Sequence, residues 1–177
     1  MSDAPTVIRL LAQARFYQLS GVDFLDALTM EQIAEAYNGI GPDWFPARLR
    51  EAIDRLSADL QCVALIHDVR YSFSDGSTAQ FDAANAEFRA NGEKVADAKY
   101  PWYSLRRYGL RSEARLFAKL CQDFGFAAYI AAFVEARKRA AKWLAAGAEP
   151  APAKEGKDKR ASSAKRKANT IKKETTK

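Results

Sequence analysis

Three residues, Ser74-Asp75-Gly76, separate two stretches with helical signatures, and this short connection constrains the fold more than any other feature of the chain. Before it, Asp59 can cap a helix running through Cys62, His67 and Tyr71. After it, Ser77 and Gln80 have the spacing of a capping box and open a helix from about Thr78 to Ala90. Helices joined so closely must lie antiparallel and side by side. The two are therefore expected over about 59–72 and 78–90. Tyr71-Ser72-Phe73 is the one place where a short extended piece competes.

The remaining signals are also helical, and the expected fold is all-α. Val7, Leu10, Leu11, Ala14 and Leu19 recur at helical spacing, with Gly21 closing the run. Thr29 and Gln32 form a further capping box for a short helix to about Tyr37. Asn38-Gly39-Ile40-Gly41-Pro42-Asp43 then breaks regular structure, and Pro46 suits the first turn of a helix to roughly Leu56. Two C-terminal helices follow, one from Pro101 to about Phe124 and one from beyond Gly125 to near Ala146. Phe117, Leu120, Phe124, Phe126, Ile130, Phe133 and Val134 are expected in the core.

Charge divides the chain in two. The first 148 residues hold 18 basic and 18 acidic side chains, whereas residues 149–177 hold 10 and 4, so the net +6 belongs to the tail. Residues 1–148 read as one helical domain. Residues 149–177, rich in Ala, Pro, Ser and Lys, cannot bury enough apolar surface to offset chain entropy and read as disordered. Such a tail attracts polyanions, nucleic acid or anionic membrane among them.

Other classes are excluded by what is scarce. Cys62 and Cys121 are too few and too far apart for a disulfide framework. A single histidine, His67, excludes zinc sites built on several histidines. The N-terminus carries no secretory pattern, and the longest apolar run, Phe124 to Val134, is too short to span a bilayer. A cytoplasmic or particle-associated protein is the expectation. Lys99 to Tyr108 is dense in aromatic and guanidinium groups, which suits a lipid headgroup interface, stacking on nucleic acid, or helix packing with exposed arginines; packing is the default.

Chemistry concentrates in Leu65-Ile66-His67-Asp68-Val69-Arg70-Tyr71. On a helix His67 and Tyr71 share a face, and Asp68 projects about 100° away. The following helix offers Asp82 and Asn85, three apart, and either can face His67 as the group that orients a general base. Asp68 is then free to hold a cation with main-chain carbonyls of the Gly-containing loop, an all-oxygen set that suits calcium.

His67-Asp68-x-x-Tyr71, preceded by Tyr37-Asn38-Gly39-Ile40-Gly41-Pro42-Asp43 and followed by Ala84-Asn85-Ala86-Glu87-Phe88, resembles the phospholipase A2 superfamily, in particular its disulfide-free viral, phage and bacterial branch. The resemblance covers roughly residues 37–90. It implies calcium-dependent hydrolysis of phospholipid esters at a membrane surface, with His67 as general base. It further implies Asp68 as calcium ligand beside carbonyls of Asn38, Gly39 and Gly41, and Tyr71 bracing the orienting group. A phage or virion context follows from the family alone. Two departures stand out. Asn85 occupies the family's second aspartate position, with Asp82 one turn away, and Pro46 to Gln61 lengthens the stretch between loop and histidine. An amide cannot stabilise an imidazolium as a carboxylate does; in the serine-protease triad that exchange costs about ten-thousandfold. The alternative expectation is a catalytically inactive structural or interaction protein of the same fold, with the basic tail as its contact.

Overall fold

The computed structural model describes residues 4–39, 53 and 57–145. Among these the chain is entirely helical: α1 (Ala4–Phe16), α2 (Val22–Leu25), α3 (Met30–Ala36), a 3-10 turn (Ala58–Leu60), α4 (Gln61–Ser72), α5 (Thr78–Lys99), α6 (Leu105–Phe124) and α7 (Phe126–Ala145). The Pro46 helix, Gly41 to Asp43 and the Lys-rich tail 149–177 lie outside the described residues. No single described helix is long and apolar enough to cross a membrane.

The central helix is α4. Cys62, Val63, Ala64, Leu65, Ile66, His67, Val69, Tyr71 and Ser72 are all buried, leaving little of its circumference to solvent. A helix apolar on every side must be surrounded, and α1, α3, α5 and α7 all pack on it. Val7, Leu10, Leu11 and Ala14 supply the α1 stripe, as their spacing requires. The helical conformation persists to Ser72, so the extended alternative at Tyr71 is discarded.

Caps explain most boundaries. The Thr29–Gln32 box is complete, each residue accepting the other's backbone N–H. At α5 the box is only half made. Ser77 Oγ accepts from Gln80 N, but the Gln80 side chain instead takes the N–H of Asp75, whose carboxylate accepts from Ser77 N. Asp59 does not cap α4; it sits inside the 3-10 turn and pairs with Lys99 and Tyr100, tying that turn to the end of α5. The α5 helix continues nine residues beyond the expected Ala90, to Lys99. Ser104 caps α6, which begins at Leu105, four residues after the expected start at Pro101.

The α5–α6 pair is the most extensive helix contact among the described residues, and Gly92 lies in it. A Cβ built there would lie 2.5 Å from the Ala114 Cβ, so at this point the helices approach too closely for any side chain on position 92. The outer edge of the pair carries an ion-pair ladder: Arg107 and Arg111 on Asp97, and Arg111 and Arg115 on Glu93. The expected C-terminal core is only partly realised. Phe124 is 75% exposed, and Leu120, Phe126 and Val134 are also exposed, while Tyr129 is fully buried. The reason is geometric: α7 rests on α4 through Tyr129, and its Phe133 ring covers Gly76, so one narrow stripe docks and the rest faces outward.

Candidate active site

His67 and Tyr71 lie one turn apart on α4, and both face the α5–α6 side. Nε2 of His67 is 2.9 Å from Oδ1 of Asn85, and the Tyr71 hydroxyl donates to the same oxygen at 2.7 Å. An amide oxygen can only accept, so with the Asn85 amide in this orientation Nε2 carries the ring proton and Nδ1 presents its lone pair. Burial pushes the Tyr71 phenol well above its ordinary range, which keeps it a proton donor. The imidazole is wedged between rings, with Tyr71 at 4.1 Å and Phe88 edge-on at 5.3 Å between centroids. Phe81 and Tyr129 extend this aromatic wall, and Tyr129 fixes it by donating to the Ser77 carbonyl at the start of α5.

Of the two candidates for the orienting group, Asn85 is the one that touches the ring. Asp82 reaches it only in series: the Gln122 amide nitrogen donates to Asp82 at 2.7 Å, and the Asn85 amide nitrogen donates to Gln122 Oε1 at 2.9 Å. Nothing local in the sequence marked Gln122. Glutamine is common on exposed helix faces, and its role arises only because α6 lies across α5.

Asp68 occupies the other side of the imidazole. Its Oδ1 is 3.6 Å from Nδ1, beyond a normal hydrogen bond. The main-chain N–H of Asn38 donates to Oδ2 at 3.0 Å, and that of Gly39 also bonds this carboxylate. Gly39 has φ +86°, in the left-handed region that glycine enters freely. Desolvation raises the Asp68 carboxyl above the usual carboxylate range, opposed by His67 and the two peptide donors. The loop thus reaches Asp68 as expected, but with N–H groups.

As donor chemistry for calcium, Asp68 fits: a carboxylate with 17% of its side chain open. The rest of a calcium shell is not formed by the described residues, among which no cluster of three or more His, Cys, Asp or Glu exists. Further oxygen ligands would have to come from carbonyls of the loop, whose Gly41 lies outside the described residues. His67 is 6% exposed, and the Asp68 side chain beside Nδ1 is 17% exposed. Cys121 lies nearby, its thiol raised to about 12 by burial and by Asp68, and is inert as a nucleophile.

A second feature lies near the other end of α6. Trp102, Arg107, Tyr108, Arg111, Ser112 and Arg115 line a cleft of about 340 Å³. The Lys99–Tyr108 aromatics are packed only in part: Tyr100 is half-buried against the core and donates to Asp59, whereas Trp102 is 73% exposed, and Tyr103, Leu105 and Tyr108 are open too. Comparison with protein-family models, with curated proteins and with solved structures finds no match for this chain.

Proposed function

We propose that the chain is a phospholipase A2-like hydrolase of phospholipid esters. The observation that carries this reading is one hydrogen-bonded set, in which Asn85 and Tyr71 hold the His67 ring by Nε2 while Nδ1 faces Asp68. In this mechanism Nδ1 takes a proton from water as the water oxygen attacks the ester carbonyl. The Asn85 amide oxygen keeps the ring aligned but is neutral. The carboxylate nearest the developing imidazolium is Asp68, 3.6 Å away on the Nδ1 side, whereas the partner of Nε2 is the neutral Asn85. Calcium belongs to the proposal as a cofactor held by Asp68 with carbonyls of Asn38, Gly39 and Gly41, and it would polarise the ester carbonyl. The membrane surface is assigned to the Trp102–Tyr108 corner, where aromatic, aliphatic and guanidinium groups are exposed together. The tail 149–177 is assigned to polyanion contact through its lysines and arginines.

A second reading, a non-catalytic member of the same fold, is favoured by the 6% exposure of His67 and by the neutral Asn85. One experiment separates the two. Fatty-acid release from mixed phospholipid vesicles is measured with calcium or chelator for wild type, His67→Ala and Asp68→Asn. The hydrolase reading expects calcium-dependent release that falls by about 10²-fold or more in both variants. Equal release in all three rejects it.

A further inference from the structure

We infer that Asp82 and Gln122, neither of which touches the imidazole, decide which nitrogen of His67 carries the proton. The His67–Asn85 pair alone leaves this open. Turned over, the Asn85 amide would offer Nδ2 to Nε2, and the ring proton would move to Nδ1. There the Asp68 carboxylate would welcome it, because a negative oxygen favours an N–H facing it. Tyr71 does not arbitrate, since a hydroxyl can donate to an amide oxygen or accept from an amide nitrogen. The wrong tautomer thus has a stabiliser of its own.

The choice is made two residues further out. An ionised Asp82 has no proton to give, so Gln122 must present its amide nitrogen, which lies 2.7 Å from Asp82 Oδ1. That leaves Oε1 of Gln122 to face Asn85, which must answer with Nδ2, 2.9 Å away. Oδ1 of Asn85 is then left for His67 Nε2 and the Tyr71 hydroxyl. Every donor and acceptor in this line has one allowed direction, and the direction originates at a surface carboxylate. The line crosses α6, α5 and α4, so docking of α6 is coupled to the protonation geometry of a ring on α4. Asp82 and Gln122 are positioning residues. Their catalytic meaning rests on the hydrolase reading, whereas the tautomer itself does not.

Because His67 is the sole histidine, ¹⁵N-imidazole NMR of the full-length protein reads it without assignment. At a pH where the ring is neutral, wild type is expected to show a protonated Nε2 and a lone-pair Nδ1, with widely separated ¹⁵N shifts. Gln122→Met, which removes both amide ends, and Asp82→Ala, which removes the fixed acceptor, should each let Asn85 turn and draw the two shifts together. Gln122→Glu combined with Asp82→Asn, whose amide can donate to the new carboxylate, keeps an acceptor for Asn85 Nδ2 and should retain the wild-type pattern. Adding Asn85→Asp to Gln122→Met should restore it, because a carboxylate has no wrong end. Unchanged shifts in folded Gln122→Met and Asp82→Ala, or no restoration by Asn85→Asp, overturn the inference. Shifted spectra in a protein that releases no fatty acid would sink the hydrolase reading and leave the relay standing; unshifted spectra with intact, His67-dependent release would do the reverse.

Discussion

Asp68 is held in the folded chain at a thermodynamic disadvantage, and this has a readable pH signature. Burial raises its carboxyl above the ordinary value, so the native state binds its proton more tightly than the unfolded chain does. Between the ordinary and the raised value the native state therefore holds more protons, and stability falls as pH rises through that window. Thermal melts of wild type against Asp68→Asn should show wild type losing ground with rising pH, with the difference constant above the window. Glu93 and Asp97 have the opposite sign. Hydrogen bonds from Arg115 and Arg107 lower their carboxyls, so their contribution disappears on acidification below the ordinary range, clear of the Asp68 window. At Asn85, substitution by Asp supplies the missing negative charge beside Nε2. Vesicle turnover should rise by about tenfold or more, and an unchanged rate would mean that Asp68 already provides the compensation.

Between elements, two helical glycines have opposite consequences. Gly92 lies on the α5–α6 contact line, where an added methyl meets Ala114. Gly92→Ala is expected to destabilise by about 1–3 kcal/mol, because overpacking outweighs the gain in helix propensity. Gly109, inside α6, has nothing within 4 Å of its would-be Cβ, and Gly109→Ala should stabilise by about 0.5–1 kcal/mol. Urea denaturation of the two variants checks both signs. Along the same helix pair, Glu93→Gln removes the negative charge shared by Arg89, Arg111 and Arg115. The loss should be modest, about 1 kcal/mol or less, and should shrink in high salt.

Across the whole molecule, the site and the exposed aromatic corner are separated by most of α6. From Arg107 to Gln122 is fifteen helical residues, or about 22 Å. Surface adsorption and chemistry should therefore be separable by mutation. Trp102→Ala with Leu105→Ser should weaken cosedimentation with anionic vesicles severalfold while leaving the melting temperature unchanged, since both side chains are exposed. Binding that survives this change but vanishes on removal of residues 149–177 would move the membrane contact to the tail.

The sequence by itself determined what depends on neighbours within a turn or two. Helical spacing in α1, the Thr29–Gln32 box, the Ser74–Gly76 turn and the shared face of His67 and Tyr71 all follow from local geometry and hydrogen bonding. Tertiary structure decided what depends on residues far apart in the chain. It alone selects Asn85 over Asp82 at the ring and recruits Gln122 from 37 residues away. It also turns much of the apolar C-terminal sequence outward while burying Tyr129. Periodicity shows that a helix has an apolar stripe, but how much of that stripe is covered depends on the width of the surface it docks against, which no single helix encodes.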